Sequence, residues 1–236
     1  MPTPAQAHFM RATAAAETSA AAEENPLALA TGHELMLHKL ANDRRRLKET
    51  QSTELKAEIK RELLSEYVPY VEGVLAAGTG VQDEVLMTVL IWRIDAGDGQ
   101  GAIEIARYAI AHQLSLPDQF KRTTATLIAE EFADLAKRAR DGGLPVDVTS
   151  LNTVLEITKG QDMPDEVRAK LHKEIGLAQR LSIGEPPFSA EQLALGHTAL
   201  EHMKRAMQLH DKVGIKKEME KLERELKNST ISGADS

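Results

Sequence analysis

The sequence predicts an all-α protein built from helical hairpins, and three observations lead to this prediction. Ala, Leu, Glu, Lys and Arg, which all favour helices, dominate the chain of 236 residues. Hydrophobic residues make up 42% of it and recur at spacings of three and four, as they do on one face of a helix. No run of alternating or β-branched residues of the kind that forms a strand stands out.

Composition excludes several kinds of site. The chain has no cysteine, so it forms no disulfide and offers no thiolate to a metal ion. Its formal net charge is −7, so contact with a nucleic acid requires a local basic patch. The Ala-rich N-terminus lacks the continuous apolar stretch of a secretory signal, and no run of about 18 apolar residues predicts a membrane span. These features favour an intracellular protein without a membrane partner.

The first elements are expected to be an arm and a charged helical region. Residues 1–31 form an Ala-rich arm or helix that starts at Thr3 and Pro4 and frays before Asn25. Residues 32–68 form a charged, coiled-coil-like region, a candidate for DNA binding or oligomerisation. Apolar residues mark two helix faces in it, Met36, Leu40 and Leu47 on one and Leu55, Ile59 and Leu63 on the other. Residues 50–53 either break the region into a hairpin or lie within one long helix, and Pro69 is expected to end it.

The following elements are expected to form a core domain and a C-terminal hairpin. Residues 69–183 form the core domain, with helices over 81–95, 101–112, 124–140, 148–158 and 163–181. Residues 184–227 form a hairpin whose helices resemble tetratricopeptide units. Its last helix carries an apolar stripe, which consists of Ile215, Met219, Leu222 and Leu226. Residues 228–236 are expected to be a disordered tail.

A glycine cluster in the core domain raises the question of a nucleotide site. Gly97, Gly99 and Ala102 fit the spacing G-x-G-x-x-G/A of a dinucleotide-binding loop. That loop needs a strand before it and further strands after its helix, whereas helical patterns surround this cluster. We therefore interpret it as the turn of a helical hairpin in which Asp95 and Asp98 are turn or capping residues, and not as a nucleotide-binding motif.

A dense group of cations in the charged region is the candidate DNA-binding site. Such a group could contact the phosphates of a nucleic acid. Its members are Lys39, Arg44, Arg45, Arg46, Lys48, Lys56, Lys60 and Arg61. Acidic residues alternate with them, so an ordinary salt-bridged helix surface is the alternative interpretation.

Four carboxylates near the glycine cluster, Asp83, Glu84, Asp95 and Asp98, are candidates for a metal-dependent nuclease site. The cofactor expected of a nuclease is Mg²⁺. The first two and the last two lie at opposite ends of one predicted helix, roughly 18 Å apart at 1.5 Å per residue, so they could converge only between subunits. Helix caps and solvated faces are the alternative. The histidines form no H-E-x-x-H motif, and solvated or capping roles are expected for them.

Several stretches, in order along most of the chain, carry a resemblance to a known family. They include QDEVLMTV (82–89), MPDEVRAKLHKEIGLA (163–178) and GIKKEMEKLERELK (214–227). These stretches resemble the small terminase subunit of peduovirus-type temperate tailed phages, which is described as an endonuclease subunit. The resemblance implies a protein of the host cytoplasm that forms a ring, binds viral double-stranded DNA at the cohesive-end site and acts with the large ATPase subunit.

The resemblance leaves open which subunit cuts the DNA. In one hypothesis the chain is itself a metal-dependent endonuclease. In the alternative it is a non-catalytic recognition and assembly scaffold, and the large subunit carries out the cleavage. A third interpretation is a helical-repeat scaffold that does not bind DNA.

Overall fold

The computed structural model describes residues 2–22, 30–117 and 122–232, and in these ranges the chain forms ten α-helices and no strand. The first five are α1 (Pro4–Ala22), α2 (Ala30–Glu49), α3 (Thr53–Ala77), α4 (Glu84–Asp95) and α5 (Gly99–Ala111). The others are α6 (Thr124–Asp141), α7 (Val148–Ile157), α8 (Asp165–Ser182), α9 (Ala190–Leu209) and α10 (Lys216–Ser232). The predicted all-α class is confirmed, whereas the tetratricopeptide-like geometry stays a prediction.

The helices pack as two units, divided between Thr124 and Ala125. The first unit contains α1 to α5, and α6 to α10 form the second apart from the first residue of α6. None of the described helices is both long and apolar enough to cross a membrane.

Helix α1 starts where the sequence predicts and packs on α3. Thr3 and Gln6 form a reciprocal cap, in which the amide of Thr3 donates to Gln6 Oε1 at 2.8 Å and the amide of Gln6 donates to Thr3 Oγ1 at 3.3 Å. Gly73 of α3 permits a close approach, because a Cβ there would lie 2.5 Å from the carbonyl oxygen of Arg11. The predicted frayed end before Asn25 lies outside the described residues.

Helices α2 and α3 form the hairpin that was one of the two alternatives for the charged region. The break falls at residues 50–52, where Ser52 caps α3 by accepting the amide of Leu55 at 3.2 Å. Each predicted apolar face is buried, except that Leu55, in the first turn of α3, is 46% exposed. The helices run antiparallel, since Arg46 pairs with Glu62 and Asp43 accepts a hydrogen bond from Tyr67.

The prediction that Pro69 ends this region is wrong. Pro69 lies inside α3, which continues to Ala77 and is closed by Gly78 at a φ of 65°. A proline inside a helix costs about 3 kcal/mol. Tyr70 and Val74 follow it and are almost fully buried, and this packing offsets that cost. The predicted domain boundary at residue 69 therefore falls inside a continuous helix.

The glycine cluster is the turn of the α4–α5 hairpin, as interpreted from the sequence. Helix α4, not a strand, precedes it, and Gly97 adopts a φ of 81°, a conformation that favours glycine. Asp98 caps α5 by accepting the amide of Gly101 at 3.0 Å, and the guanidinium of Arg93 donates to its carboxylate at 2.6 Å.

In the second unit, α8 and α9 form the most extensive contact and α10 packs on α9. The predicted stripe of α10 faces this core, with Ile215, Leu222 and Leu226 buried and Met219 packed against its edge. The expected end of this helix at Lys227 is wrong, because α10 continues to Ser232. The first strong helix breaker after Lys227 is Gly233, which explains the extra turn. Residues 233–236 of the predicted tail lie outside the described residues.

Two histidines that the sequence did not pair meet where α8 contacts α9. The Nδ1 atoms of His172 and His202 are 2.9 Å apart, and both rings are partly buried. Burial, followed by the positive charges of His202, Arg205 and Arg168, lowers the pKa of His172 to about 4. Burial also lowers the pKa of His202, so both rings are uncharged at neutral pH, and a single N–H bridges the two Nδ1 atoms with one ring as donor and the other as acceptor.

We expect Gly73→Ala to destabilise the protein by roughly 1–3 kcal/mol, because the new methyl group would meet backbone atoms of α1 that cannot rotate away. Chemical unfolding would measure this change. Gly160→Ala is the control, since a Cβ there meets no atom within 4 Å in the described structure. Equal stability of both variants would show that α1 does not pack on α3 in this way.

We expect acid to weaken the α8–α9 contact before the carboxylates titrate. His172 binds its proton with a pKa of about 4 when folded and about 6.5 when unfolded, so its contribution is lost as the pH falls through this window. Because the ring is partly exposed and solvent screens its charge, we expect the free energy of unfolding to fall by only about 1 kcal/mol between pH 7 and pH 5. Thermal unfolding of His172→Gln should depend less on pH over this range than that of the wild type or of His197→Gln. An unchanged pH dependence would contradict the low pKa.

Candidate nucleic-acid interface

Four of the eight predicted DNA-binding cations line one groove of the first unit. This groove, which we call the α2–α4 groove, has a volume of about 470 Å³. Arg44, Leu47 and Lys48 of α2, Lys56 and Lys60 of α3, and Thr88, Ile91 and Trp92 of α4 line it. The lining contains four cations and no carboxylate, so its own side chains favour an anionic ligand.

The floor of the groove is apolar and closely packed. Leu47 is buried, and the ring of Trp92, 6% exposed, meets Tyr67 edge to face at a centroid distance of 5.8 Å. Long lysine side chains can lie along such a surface and keep their ammonium groups at the rim. Trp92 and Thr88 were not among the predicted site residues. Their position in the apolar helix α4 gave no signal in the sequence that they would face the basic region.

The four cations differ in what they contact. Arg44 forms an ion pair with Glu84, and its other terminal nitrogen donates to Thr88 Oγ1 at 2.7 Å. Lys60 forms an ion pair with Asp95. In the part of the chain that the structure describes, no ion pair joins Lys48 or Lys56 to a carboxylate. In the described structure Lys48 and Lys56 are therefore available to an anionic ligand, whereas Arg44 and Lys60 already bind a carboxylate.

The other predicted cations point elsewhere. Lys39 contacts Asp43 at 2.8 Å and Glu66 at 2.9 Å, and its Nζ lies 4.8 Å from the centre of the Tyr67 ring. Burial lowers the pKa of Lys39, but the hydrogen bonds and charges of the two carboxylates outweigh this, so its pKa is raised. Burial and Asp43 also raise the pKa of Tyr67. Lys39 thus has a packing role in a polar network at the α2–α3 contact.

Three arginines complete the predicted set and lie outside the groove lining. Arg46 forms an ion pair with Glu62 at 3.4 Å, and both side chains are more than half exposed. Arg45 and Arg61 are exposed. An exposed ion pair of this kind contributes about 0–1 kcal/mol to stability. The salt-bridged-surface interpretation thus describes Arg46, whereas the groove unites Arg44, Lys48, Lys56 and Lys60.

The four candidate carboxylates do not converge within one chain. Asp83 is buried and caps α4, where it accepts the amide of Leu86 at 2.9 Å and the hydroxyl of Tyr70 at 2.6 Å. Asp98 caps α5, as described above. Glu84 and Asp95 are the first and last residues of α4, and each holds a cation of the groove. Asp83 and Asp95 are thus separated by the length of α4, about 18 Å.

Among residues 2–22, 30–117 and 122–232, no three His, Asp or Glu side chains lie together as they would to hold a metal ion. The carboxylates and the Mg²⁺ expected of a nuclease stay predictions. Of the histidines, His33 lies with its Nδ1 atom 2.6 Å from the hydroxyl oxygen of Tyr70.

Comparison with known proteins gives a consistent result. The model of the family "Phage small terminase subunit" matches residues 37–166, a range that contains the whole groove lining. The "Terminase, endonuclease subunit" of Escherichia phage P2 is 50% identical over 227 residues, which are 96% of this chain and 87% of that protein. The "Probable terminase, endonuclease subunit" of Haemophilus phage HP1 is 25% identical over 188 residues, 77% of this chain and 66% of that protein. No solved structure matches the chain.

Proposed function

The chain belongs to the phage small terminase subunit family, and from that premise we propose that it binds viral double-stranded DNA through the α2–α4 groove. In this proposal it recognises the cohesive-end site of the viral genome. It then acts with the large ATPase subunit in cutting and packaging that genome in the host cytoplasm.

The observation that carries the proposal is the grouping of four cations from two helices in one groove without a carboxylate in its lining. Cations held at fixed positions can neutralise neighbouring phosphates and release their counterions, which is the main source of affinity for DNA. Contacts of this kind position the chain on the backbone, and recognition of sequence requires additional contacts to the bases.

Assembly compensates for the unfavourable overall charge. A chain of net charge −7 is repelled by DNA outside the groove, so one groove alone binds weakly. Several copies in a ring would present several grooves to one duplex, and linked sites raise the apparent affinity by orders of magnitude. We therefore include a homo-oligomeric ring in the proposal.

The large subunit supplies ATP hydrolysis in this account. The glycine cluster that fits a nucleotide-binding spacing is the α4–α5 turn, where the carboxylate of Asp98 already accepts hydrogen bonds from the amide of Gly101 and the guanidinium of Arg93. Energy for packaging is therefore assigned to the partner, and this chain is assigned the recognition of DNA.

A second candidate function is that of a metal-dependent endonuclease. The name of the phage P2 relative favours it, because that protein is called an endonuclease subunit. In this alternative Asp83, Glu84, Asp95 or Asp98 from neighbouring subunits would bind Mg²⁺ together. Their present partners, two helix amides and two cations of the groove, support the non-catalytic reading.

We expect the double variant Lys48→Ala/Lys56→Ala to bind duplex DNA more weakly than the wild type. Loss of two phosphate contacts should make the negative slope of log K against log salt shallower by about 2. Fluorescence anisotropy over a series of salt concentrations measures both effects. The control is Lys212→Ala/Lys217→Ala, which removes the same charge from exposed positions of the second unit. Equal weakening of both variants would remove the groove from the proposal.

We expect Asp95→Asn to keep site-specific cleavage, because this carboxylate holds Lys60 and not a metal ion in our account. The assay uses DNA with the cohesive-end site and Mg²⁺, with and without the large subunit. The proposal predicts cutting only when the large subunit is present, and no loss of rate in Asp95→Asn or in the exposed-loop control Asp162→Asn when the DNA is saturated with protein. Cutting by this chain alone that disappears in Asp95→Asn would establish the endonuclease alternative.

A further inference from the structure

The two ion pairs of the α2–α4 groove share an unusual arrangement. Both carboxylates come from α4 and stand at its two ends, Glu84 at the first residue and Asp95 at the last. Their cations, Arg44 and Lys60, come from α2 and α3 and are separated from them by 40 and 35 residues in sequence. One helix thus delivers an oxyanion to each of two cations in the same groove.

The carboxylates are the exposed partners in these pairs. The side chain of Glu84 is 50% exposed and that of Asp95 is 39% exposed, whereas Arg44 and Lys60 are 33% and 15% exposed. Arg44 is also fixed by its hydrogen bond to Thr88, an almost fully buried residue. A carboxylate can therefore rotate into solvent while its cation remains in the groove wall.

Carboxylates and phosphodiesters bind such cations through the same contacts, charge-assisted hydrogen bonds to an oxyanion. We propose that Glu84 and Asp95 occupy the phosphate positions of the groove in the free protein, and that the backbone of bound DNA displaces them. This inference rests on the proposed function, because it concerns the regulation of the same groove.

The arrangement makes the groove selective for a chain of phosphates over a single anion. A small anion would have to replace a carboxylate that is tethered to α4 and hence present at a high effective concentration. A nucleic-acid backbone first contacts Lys48 and Lys56, which hold no carboxylate in the described structure, and its neighbouring phosphates then reach Arg44 and Lys60. The two carboxylates therefore exclude single anions from Arg44 and Lys60, and a polyanion with successive phosphates displaces them.

Two isosteric variants, Glu84→Gln and Asp95→Asn, test the inference by removing one competing charge each. Bound DNA contacts the same four cations in the wild type and in each variant, so the slope of log K against log salt for a 30-base-pair duplex should stay close to that of the wild type. Each variant removes an ion pair that DNA otherwise has to break, so binding at 0.1 M salt should be tighter than that of the wild type by up to about 5-fold. Anisotropy measures both quantities, and circular dichroism verifies that each variant is folded.

The matched control is Glu62→Gln. Glu62 also forms an interhelical ion pair, with Arg46, but neither residue lines the groove, and the substitution changes the net charge by the same amount. Tighter binding by Glu84→Gln and Asp95→Asn than by Glu62→Gln supports displacement. If the three variants gain equally, the effect is one of net charge, and the inference is overturned; binding weaker than that of the wild type overturns it as well.

The same experiment separates this inference from the proposed function. If the wild type binds the duplex and Lys48→Ala/Lys56→Ala weakens binding, the proposed function stands whatever the carboxylate variants do. If the wild type and all variants fail to bind the duplex even at low salt, both the proposed function and the inference are overturned. Inorganic phosphate serves as the second probe, and the inference predicts that it competes with DNA more effectively in Glu84→Gln than in the wild type.

Discussion

Burial of α4 between its neighbours organises the first unit. Val85, Leu86, Met87, Val89 and Leu90 are completely buried, and the removal of each such large side chain from water contributes about 1.5–3 kcal/mol. A helix covered in this way can carry charge only at its ends and along the strip that faces α2. Glu84 and Asp95 lie at the two ends of α4 and form ion pairs with Arg44 and Lys60. Thr88 lies on the strip that faces α2 and accepts a hydrogen bond from Arg44. The polar contacts of the groove follow from the apolar packing beneath them.

Reversal of the chain at residues 50–52 supplies the other half of the groove. Lys48 lies just before this connection and Lys56 just after it, so the α2–α3 hairpin brings both lysines to the same side. Trp92 and Leu47 close the floor below them. The walls and floor of the site thus consist of packed helices, and the carboxylates of Glu84 and Asp95 are its exposed acidic side chains. In our proposal these two side chains move when a polyanion binds, and the fold does not rearrange.

The elements of the fold could be predicted from local patterns, because spacing and capping residues act within a few residues of each other. Asp98 as a cap and Met36, Leu40 and Leu47 as a buried face are examples that the structure confirms. Pro69 was misjudged because contacts of α3 with α1, distant in sequence, outweigh a local helix breaker. The sequence likewise grouped eight cations in one patch, of which only four line the groove. Periodicity shows the faces of a single helix, but it does not show which faces of two helices meet. For the same reason the contact of His172 with His202 and the place of Trp92 in the groove had no signal in the sequence.

Trp92 is the only tryptophan of the chain and lies on the floor of the α2–α4 groove, so it reports directly on whether DNA enters there. The decisive measurement is the NMR resonance of its indole N–H group during titration with a duplex, with anisotropy of the same samples to follow the extent of binding. Our account predicts that the resonance shifts in proportion to the bound fraction and returns when salt releases the DNA. An unchanged resonance at saturation would place the DNA elsewhere on the protein and contradict the account.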